Sequence, residues 1–584
     1  MRFHCLGVGS VGSLFATNLA SLPSTQVCLI LRRKDLAAQL HNPAPKSPTD
    51  TPISKTPYGT LTVERDGIAR RFSGLEMELT RSPDDAHDLT SVLSSSRTGP
   101  QVDPKYWYRN DPIETLVITT KAPSTLPAIR HLLPRLSSRS TVVLCQNGMG
   151  VLEGLLAKYW PEDRSLEIED DEARSGRAKW NATGGRPSFV CATTTHGAWR
   201  KGTGHFVHAG VGDVKFGVVP NRAVVRSIAD TPQPSWPSPL DNPLINPRSI
   251  IQPTLDHIPH TPSTATLHTT ISSLLSLHEL RPSWLPLPTL QVAQLQKLAV
   301  NASVNSLTAV VGVNNGALVG SQKAKRLIEA VCGECSTVFA AHLAREEGAW
   351  TPPAQASSAE DDAASPSSSL PPPLPDSHAL SAVSLLDYTQ RILFKTSTNV
   401  SSTLADVLTL QANTTASFDL ERNAPSLPSR TEIEYINGYV VALGRRYGIA
   451  TPTVKALGEL VLLKEEMARV GAIDRVWQSR KQAARSPPPS PPPAAAQPPP
   501  PPSPTSKHRK SRSASPAASS RSRSPPPPSP PSSPPPSASP PSSPHPRAHE
   551  RAADFQQYKR ERDERAQKKE EERIQRRAEQ RKGP

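Results

Sequence analysis

The chain has 584 residues, enough for two or more domains, but 65 prolines and only 36% hydrophobic residues exclude a packed core along its whole length. The formal net charge is +15, yet residues 478–584 hold 22 Lys or Arg against nine Asp or Glu and carry about +13 of it. The basicity therefore belongs to the C-terminal tail and gives no reason to expect nucleic-acid binding by the nearly neutral body.

The six cysteines indicate a reduced intracellular protein better than a disulfide framework. Only Cys332 and Cys335 form a CxxC pair, and because no second pair completes a four-ligand zinc site, we expect no metal. No apolar run reaches the length of a membrane span, and cleavage of a presequence would remove the glycine loop at Gly7. We therefore expect a cytoplasmic protein with no membrane partner.

Strands and helices alternate in the first half of the chain. Residues 2–6 and 27–31 are apolar strands on either side of a predicted helix, 13–22. This order predicts an α/β fold with a Rossmann-type parallel sheet. Further strand patterns lie at residues 115–119, 141–145, 189–195 and 205–218.

From about residue 290 the hydrophobic pattern becomes helical, which predicts an all-α C-terminal domain. We assign residues 1–280 to the N-terminal sheet domain, with disordered insertions at about 41–109, 162–187 and 221–262, the first of which has a strand-like patch at 59–63. Residues 281–478 form the helical domain, with a low-complexity insertion at 351–375. Residues 479–549 are rich in Pro, Ser and Arg and predicted to be disordered, and 550–584 form a charged tail with helical propensity. The predicted helices are 290–311, 321–347, 380–396, 430–447 and 453–470.

A GxGxxG segment follows the first strand and opens the first helix, the context in which this pattern predicts dinucleotide binding. Its first glycine allows the turn, its second lets the backbone approach the pyrophosphate, and its third permits close helix–strand packing. The alternative is a glycine-rich surface turn. The candidate cofactor-binding residues are Gly7, Val8, Gly9, Ser10, Val11 and Gly12.

The end of the second strand indicates which dinucleotide binds. An NAD site usually places a carboxylate about 20 residues beyond the glycine loop, but this chain has Arg32 there. A guanidinium can pair with a 2′-phosphate through two hydrogen bonds, so Arg32 favours NADP(H). The alternative is an exposed basic strand end.

Lys297, Asn301 and Asn305 recur every four residues in an otherwise small or apolar helix. At about 100° per residue, such positions stay on roughly one face. An ammonium and two carboxamides on one stripe suit a small, anionic, oxygen-rich substrate. The alternatives are a lysine that extends to solvent from the helix edge and asparagines that bond to a neighbouring helix. Together with the glycine loop, the stripe predicts a reductase.

The chain resembles the 2-dehydropantoate 2-reductase (ketopantoate reductase) family of pantothenate biosynthesis. Single motifs are weak, but the set in this order, along nearly the whole body, is specific. The matching motifs are residues 7–12, Arg32, 117–122 (VITTKA), 146–150 (QNGMG), 193–198 (TTTHGA), 296–305, 399–402 (NVSS) and 430–438 (RTEIEYING).

The resemblance implies that NADPH reduces a small 2-oxo acid, with Lys297 as the general acid and Glu432 as the holder of the substrate's hydroxyl group. Glu432 could equally be a first-turn helix carboxylate. Asn301 and Asn305 match substrate-binding asparagines. The resemblance also assigns Lys121 to the junction of cofactor and substrate and Asn147 to a contact near the nicotinamide.

Two positions depart from the family pattern. Ser306 follows Asn305 where the family usually has proline. The serine that binds the substrate carboxylate matches Ser402, but Ser402 precedes Glu432 by thirty residues rather than about a dozen, so Ser417 is the alternative. His196 follows three threonines at a strand end, and we do not assign it a catalytic role.

The leading hypothesis is NADPH-dependent reduction of 2-dehydropantoate to (R)-pantoate. The alternatives are reduction of another branched 2-oxo acid and a reductase-like scaffold whose Ser-Arg tail recruits partners. The tail itself is either a solvated spacer or a segment that binds proteins or acidic partners, and its charge would change on phosphorylation. The sequence does not predict an oligomeric state.

Overall fold

A computed structural model of the chain describes most of its first 485 residues. All the described residues belong to one compact unit, Met1–Pro489. The insertion predicted at 351–375, the tail beyond residue 485 and most of 162–187 lie outside them. The described residues are 1–41, 57–80, 107–161, 185–219, 227, 242–244, 246, 249–346, 377–412, 417–419, 424–426 and 430–485.

Eleven of the described strands form one mixed sheet, in the order β11-β10-β7-β6-β5-β1-β2-β4-β3-β9-β8. The central strands β4, β2, β1, β5, β6 and β7 pair in parallel, whereas β3 with β4, β7 with β10 and β8 with β9 pair antiparallel. The strands are β1 Arg2–Leu6, β2 Gln26–Leu31, β3 Tyr58–Arg65, β4 Ile68–Leu79, β5 Thr115–Ile118, β6 Thr141–Cys145, β7 Ser188–Thr194, β8 Gly197–Gly202, β9 His205–Gly210, β10 Val214–Val219 and β11 Pro282–Trp284, with β12 Ser417–Asp419 and β13 Ala424–Ser426 in a separate hairpin.

The helices separate into two groups. The first five cover the two faces of the sheet, and the others form the helical half of the unit. They are α1 Ser10–Ala20, α2 Lys34–Leu40, α3 Ala122–Arg130, α4 Val151–Tyr159, α5 Ala265–Leu275, α6 Leu287–Val300, α7 Ser306–Val311, α8 Gln322–Glu346, α9 Ala382–Lys395, α10 Ser402–Ala412, α11 Ile433–Tyr447 and α12 Pro452–Arg485.

The central strands are apolar on both faces, as expected for parallel strands that helices cover on both sides. Every residue of β5 and β6 is buried. Val117 joins Phe3 and helices α1 and α5 in one core cluster, whereas Leu116 and Ile118 pack with α3 and α4 in another. Because successive side chains of a strand point to opposite faces of the sheet, the sheet has one core on each face.

The helical half has a core of its own. Leu295 of α6, Val331 of α8, Leu385 of α9, Val440 of α11 and Val454 of α12 are all buried in it. The predicted fold class, a Rossmann-type α/β sheet followed by helices, is therefore confirmed, although the sheet is mixed. The division at residue 280 stays a prediction, and β11 pairs with β10 just beyond it.

Some expectations need correction. Residues 57–80 fall in a predicted disordered insertion, yet they form β3 and β4, because the long hairpin pairs with β2 on one side and with β9 on the other. Part of the insertion predicted at 221–262 also packs, since Asn242 and Leu244 are buried.

By length and mean hydropathy, one described helix could cross a membrane, the Gln322–Ala344 part of α8, which was not expected from the sequence. Half of that window is buried within the protein, where Val331, Val338 and Phe339 pack in the helical core. We interpret α8 as a core helix.

The helix predicted at 290–311 is continuous but not uniform. Helix α6 passes into one π turn, Asn301–Asn305, and then into α7. A π turn adds a residue to the helical repeat and is often found at functional sites. The simple four-residue stripe of Lys297, Asn301 and Asn305 is therefore interrupted at its second half.

Candidate active site

The glycine segment forms a tight loop between β1 and α1. Gly7 has φ +104°, and a Cβ there would lie 2.5 Å from the Thr120 nitrogen. A Cβ on Gly12 would lie 2.0 Å from the Gly7 oxygen, whereas nothing lies within 4 Å of a Cβ on Gly9. Gly7 and Gly12 thus let the loop pack closely at the end of β5, whereas the space beside Gly9 is open.

The amino end of α1 suits a phosphate. Ser10 is its first residue, and the helix has no side-chain cap and no acidic residue in its first turn. Free N–H groups and the helix dipole favour an anion at such an end. Val8 and Val11 pack against the sheet core and fix the loop from below. The loop therefore fits the pyrophosphate of a dinucleotide.

Arg32 lies directly after β2, and both Arg32 and Arg33 are exposed. Arg200 of β8 is a third cation in this region. Burial and the charge of Arg33 both lower the pKa of Arg200, so the two guanidinium groups are within electrostatic range of each other. Arg200 was not expected here, since nothing in its local motif links it to the end of β2.

Lys297 projects from α6 toward the carboxyl ends of β6 and β7. Its Nζ donates to Thr194 O at 2.8 Å, Asn147 Oδ1 at 3.1 Å and Thr193 Oγ1 at 3.3 Å. Burial lowers the pKa of Lys297 from its ordinary value. The ammonium is held by neutral acceptors, and no carboxylate among the described residues forms an ion pair with it.

Asn147 connects Lys297 to Glu432. Its Oδ1 accepts from the ammonium, and its Nδ2 donates to Glu432 Oε2 at 3.3 Å. Asn147 lies in the loop after β6, where Gly148 has φ +81° and a Cβ would lie 2.6 Å from Tyr435 O. The Met149 nitrogen also donates to Tyr435 O at 2.8 Å. The loop is therefore docked on α11, the helix that follows Glu432.

Glu432 is 4% exposed and sits just before α11. Its Oε1 accepts from the Ala122 backbone N–H at 3.1 Å, at the amino end of α3. Its Oε2 accepts from Lys121 Nζ at 3.4 Å as well as from Asn147. The carboxylate thus faces a helix of the sheet half, rather than the first turn of α11.

Lys121 bridges two carboxylates, because its Nζ also lies 2.9 Å from Asp406 Oδ2 on α10. Burial alone would lower the pKa of Lys121, but the charges of Glu432 and Asp406 raise it above its ordinary value. Burial raises the pKa of Asp406 to about 6, and Glu432 adds to the effect although Lys121 opposes it. The sequence did not predict the pairing of Asp406 with Lys121.

This raised pKa predicts a pH dependence of stability. Between pH values of about 4 and about 6 the folded state binds more protons at Asp406 than the unfolded state does, whose carboxyl has its ordinary pKa of 3.8. The contribution of Asp406 to the free energy of unfolding therefore falls as the pH rises through this window. We expect wild type to lose stability relative to Asp406→Asn over it, as measured by denaturant unfolding of both proteins. A relative gain by wild type would mean that Lys121 holds the pKa below that of a free carboxyl.

A pocket opens beside Lys297. Its walls come from the loop after β6, from β7, from α6 and from the first residue of the π turn. Asn301 is part of this wall, and its role in substrate binding stays a prediction. The lining residues are Gln146, Asn147, Gly148, Met149, Thr193, Gln294, Lys297, Leu298 and Asn301.

Asn305 and Ser402 lie together, but not with Lys297 in this pocket. The Asn305 Nδ2 donates to Ser402 Oγ at 3.5 Å, and Ser402 begins α10, the helix that carries Asp406. Ser417 belongs to β12, whose side chains are outside the described set. The choice between the two serines stays a prediction.

His196 is buried and hydrogen-bonded within the sheet. It contacts His208 Nε2 at 2.9 Å and Leu280 O at 3.0 Å, and its Nδ1 accepts from the Gly212 N–H. Two threonines of the same motif, Thr193 and Thr194, instead accept from Lys297. The motif pointed to this segment, but not to the threonines as the residues that contact Lys297.

Two family models match the chain in order. "Ketopantoate reductase PanE/ApbA" matches residues 67–221, and its C-terminal counterpart matches residues 289–414 and 428–465. Together they cover more than half of the sequence and include Lys121, Asn147, Lys297 and Glu432. The chain belongs to the ketopantoate reductase family. It is thus an oxidoreductase of this family, as the motif resemblance predicted.

Relatives of this reductase include both fungal and bacterial proteins. "Probable 2-dehydropantoate 2-reductase" of Schizosaccharomyces pombe is 28% identical over 338 residues, 58% of this chain and 71% of that protein. "Ketoisovalerate reductase BEA2" of Gibberella fujikuroi is 24% identical over 321 residues, 55% of this chain and 54% of that protein. Among solved structures, D-mandelate dehydrogenase with NADH and anilino(oxo)acetate matches 80% of this chain and 99% of its own, at 16% identity and TM-score 0.46.

Proposed function

We propose that this reductase uses NADPH to reduce 2-dehydropantoate to (R)-pantoate. The observation that carries the proposal is the contact chain Lys297–Asn147–Glu432–Lys121 at the carboxyl edge of the sheet, beside the glycine loop. Ligands of doubly wound sheets bind at this edge. A buried ammonium and a buried carboxylate held by one asparagine suit a substrate with a ketone and a hydroxyl group.

A bound NADPH would supply the hydride that reduces the carbonyl carbon. The chain's own part is to protonate the carbonyl oxygen, which Lys297 Nζ does as the negative charge develops there. Its lowered pKa eases loss of the proton. Asn147 and the two threonine oxygens hold the ammonium in place, so little reorganisation is needed.

Glu432 and the helix asparagines position the substrate in this proposal. The carboxylate accepts from the substrate hydroxyl, while the Ala122 N–H and Lys121 keep it oriented. Asn301 lines the pocket, and Asn305 with Ser402 offers polar groups for the substrate carboxylate. These roles are argued from the contacts together with the family resemblance.

Arg32 is proposed to select NADPH. We expect Arg32→Glu to lower the ratio of kcat/KM for NADPH to that for NADH by about 10- to 100-fold, since hydrogen bonds to charged groups contribute about 1.5–3 kcal/mol. Steady-state rates with both cofactors measure this ratio. Arg70→Glu, an equal charge change at an exposed position of β4, is the matched control. An unchanged ratio in Arg32→Glu would rule out the assignment.

A second candidate is reduction of another branched 2-oxo acid. The match to a ketoisovalerate reductase supports it, because that substrate's name describes a 2-oxo acid without the hydroxyl group of 2-dehydropantoate. Comparison of kcat/KM for 2-dehydropantoate and 2-ketoisovalerate with the purified full chain decides between them. A preference for the second acid would leave Glu432 without the hydroxyl that the first proposal gives it. The cytoplasmic location and the tail's partners stay predictions.

A further inference from the structure

Three potential metal ligands lie side by side on neighbouring strands, away from the site above. His4 of β1 pairs in register with Cys28 of β2. Glu78 of β4 pairs with Ile30, two residues beyond Cys28, so its side chain points to the same face. One ligand atom from each residue lies within 4.8 Å of the other two.

All three side chains are inaccessible to solvent. His4 is 1% exposed, and Cys28 and Glu78 are both 0% exposed. Neither ring nitrogen of His4 makes a hydrogen bond of good geometry with a described residue, although the Thr115 backbone lies close to the ring. A buried imidazole with both nitrogens unsatisfied is costly, and such groups usually find a partner. A ligand at this position would provide one.

The ligand types fit a metal site. An imidazole offers a nitrogen electron pair to a metal ion in its neutral form. An N, S and O ligand set of this kind is typical of Zn²⁺ and related divalent ions.

We propose that His4, Cys28 and Glu78 bind a divalent transition-metal ion of the Zn²⁺ class. One imidazole nitrogen, the Cys28 sulfur and one Glu78 oxygen each form a bond to the ion, and the Cys28 thiol releases its proton to solvent as its bond forms. The site would join β1, β2 and β4, so its role is structural.

The charged neighbours are compatible with such an ion. Arg135 Nη1 and Nη2 donate to the two Glu78 oxygens at 2.6 and 3.2 Å and so orient the carboxylate. Residues that ligate a metal are often held in this way by hydrogen bonds to neighbouring side chains. Arg2 lies beside Cys28 and forms an ion pair with Glu76. Carboxylates and the thiolate thus offset the guanidinium charges.

Access to the cluster leads past Arg2 and Glu76. Arg2 lies two residues before His4 on β1, and Glu76 lies two residues before Glu78 on β4, so each is on the same face as that ligand. Their side chains are 22% and 15% exposed. The Arg2 side chain would have to release its ion pairs with Glu76 and Asp111 to open this path. An ion would then enter at the amino end of β1.

The test uses the purified full chain, stripped with a chelator and titrated with Co²⁺. We expect one Co²⁺ per chain, with a thiolate-to-cobalt charge-transfer band, and a higher melting midpoint with Zn²⁺. Cys28→Ala should abolish the band and the stabilisation. Cys5→Ala is the matched control, because Cys5 is equally buried on the next residue of β1 but lies on the other face of the sheet.

Two results would overturn the proposal: no stoichiometric ion in wild type, or a band that survives Cys28→Ala. If that variant fails to fold, X-ray absorption of the zinc-loaded wild type replaces it. One sulfur ligand with nitrogen and oxygen ligands supports the site. Two sulfur ligands would assign the ion to Cys332 and Cys335 instead, and would sink the proposal.

Discussion

Replacement of Lys297 by alanine is expected to lower kcat for 2-oxo acid reduction by about 10²–10⁴-fold, the usual contribution of a positioned general acid. The variant loses the group that lies between Asn147, Thr193 and Thr194, so the carbonyl oxygen has no proton donor or cation there. The KM for NADPH should change little, because the hydrogen bonds of Lys297 go to Asn147, Thr193 and Thr194 and not to residues of the glycine loop. Single-turnover and steady-state rates of NADPH oxidation measure both effects.

Lys323→Ala is the matched control for this experiment, since it removes an exposed lysine near the start of α8. It should keep the wild-type kcat. Lys297→Arg tests proton donation separately from charge: a guanidinium keeps the charge but does not lose its proton near neutral pH. Wild-type turnover by Lys297→Ala would refute the general-acid role, and full activity of Lys297→Arg would restrict it to electrostatics.

Glu432→Gln should lower kcat/KM for 2-dehydropantoate by about 30- to 3000-fold. Loss of one member of a buried, hydrogen-bonded charge pair costs roughly 2–5 kcal/mol, and each 1.4 kcal/mol is about tenfold. The new amide can still accept from the Ala122 N–H, but its NH₂ group would face the donors Lys121 and Asn147. Steady-state rates with both 2-oxo acids measure the loss.

Glu434→Gln makes the same chemical change two residues away, at an exposed position of α11, and should be close to wild type. The comparison of substrates adds a second test. If Glu432 binds the substrate hydroxyl, the loss should be larger for 2-dehydropantoate than for 2-ketoisovalerate, which lacks that group. Equal losses would show that Glu432 acts through Lys121 and Asn147 rather than on the hydroxyl.

The sequence predicts the elements that carry strong local patterns. The apolar runs of β1, β5 and β6 and the glycine loop appear within a residue or two of their expected places, because burial on both faces leaves few alternatives. Of the β3–β4 hairpin only the strand-like patch at 59–63 was predicted, since its residues alternate with polar ones and lie between polar segments. Tertiary pairing stabilises it, and a local pattern does not report that pairing.

In the candidate site, too, local motifs predict single residues, whereas the contacts between distant residues could not be predicted. Local motifs identify Lys297, Asn147 and Glu432 one by one, but not that Asn147 contacts the other two. Asp406 lies far from Lys121 in the sequence, and Arg200 lies far from Arg33. Folding brings Asp406 into an ion pair with Lys121 and brings Arg200 within electrostatic range of Arg33. The His4–Cys28–Glu78 cluster was invisible for the same reason, because its members are spread over three strands that pair in space.

The wide turn at Asn301–Asn305 has a consequence for protein engineering. It places one extra residue between Lys297 on α6 and the segment that meets Ser401 and Ser402. A regular helix turns by about 100° per residue. A designer who rebuilt this segment as an ideal α-helix would therefore rotate one end by roughly a quarter turn, and only one of its two sets of polar side chains could still reach its target.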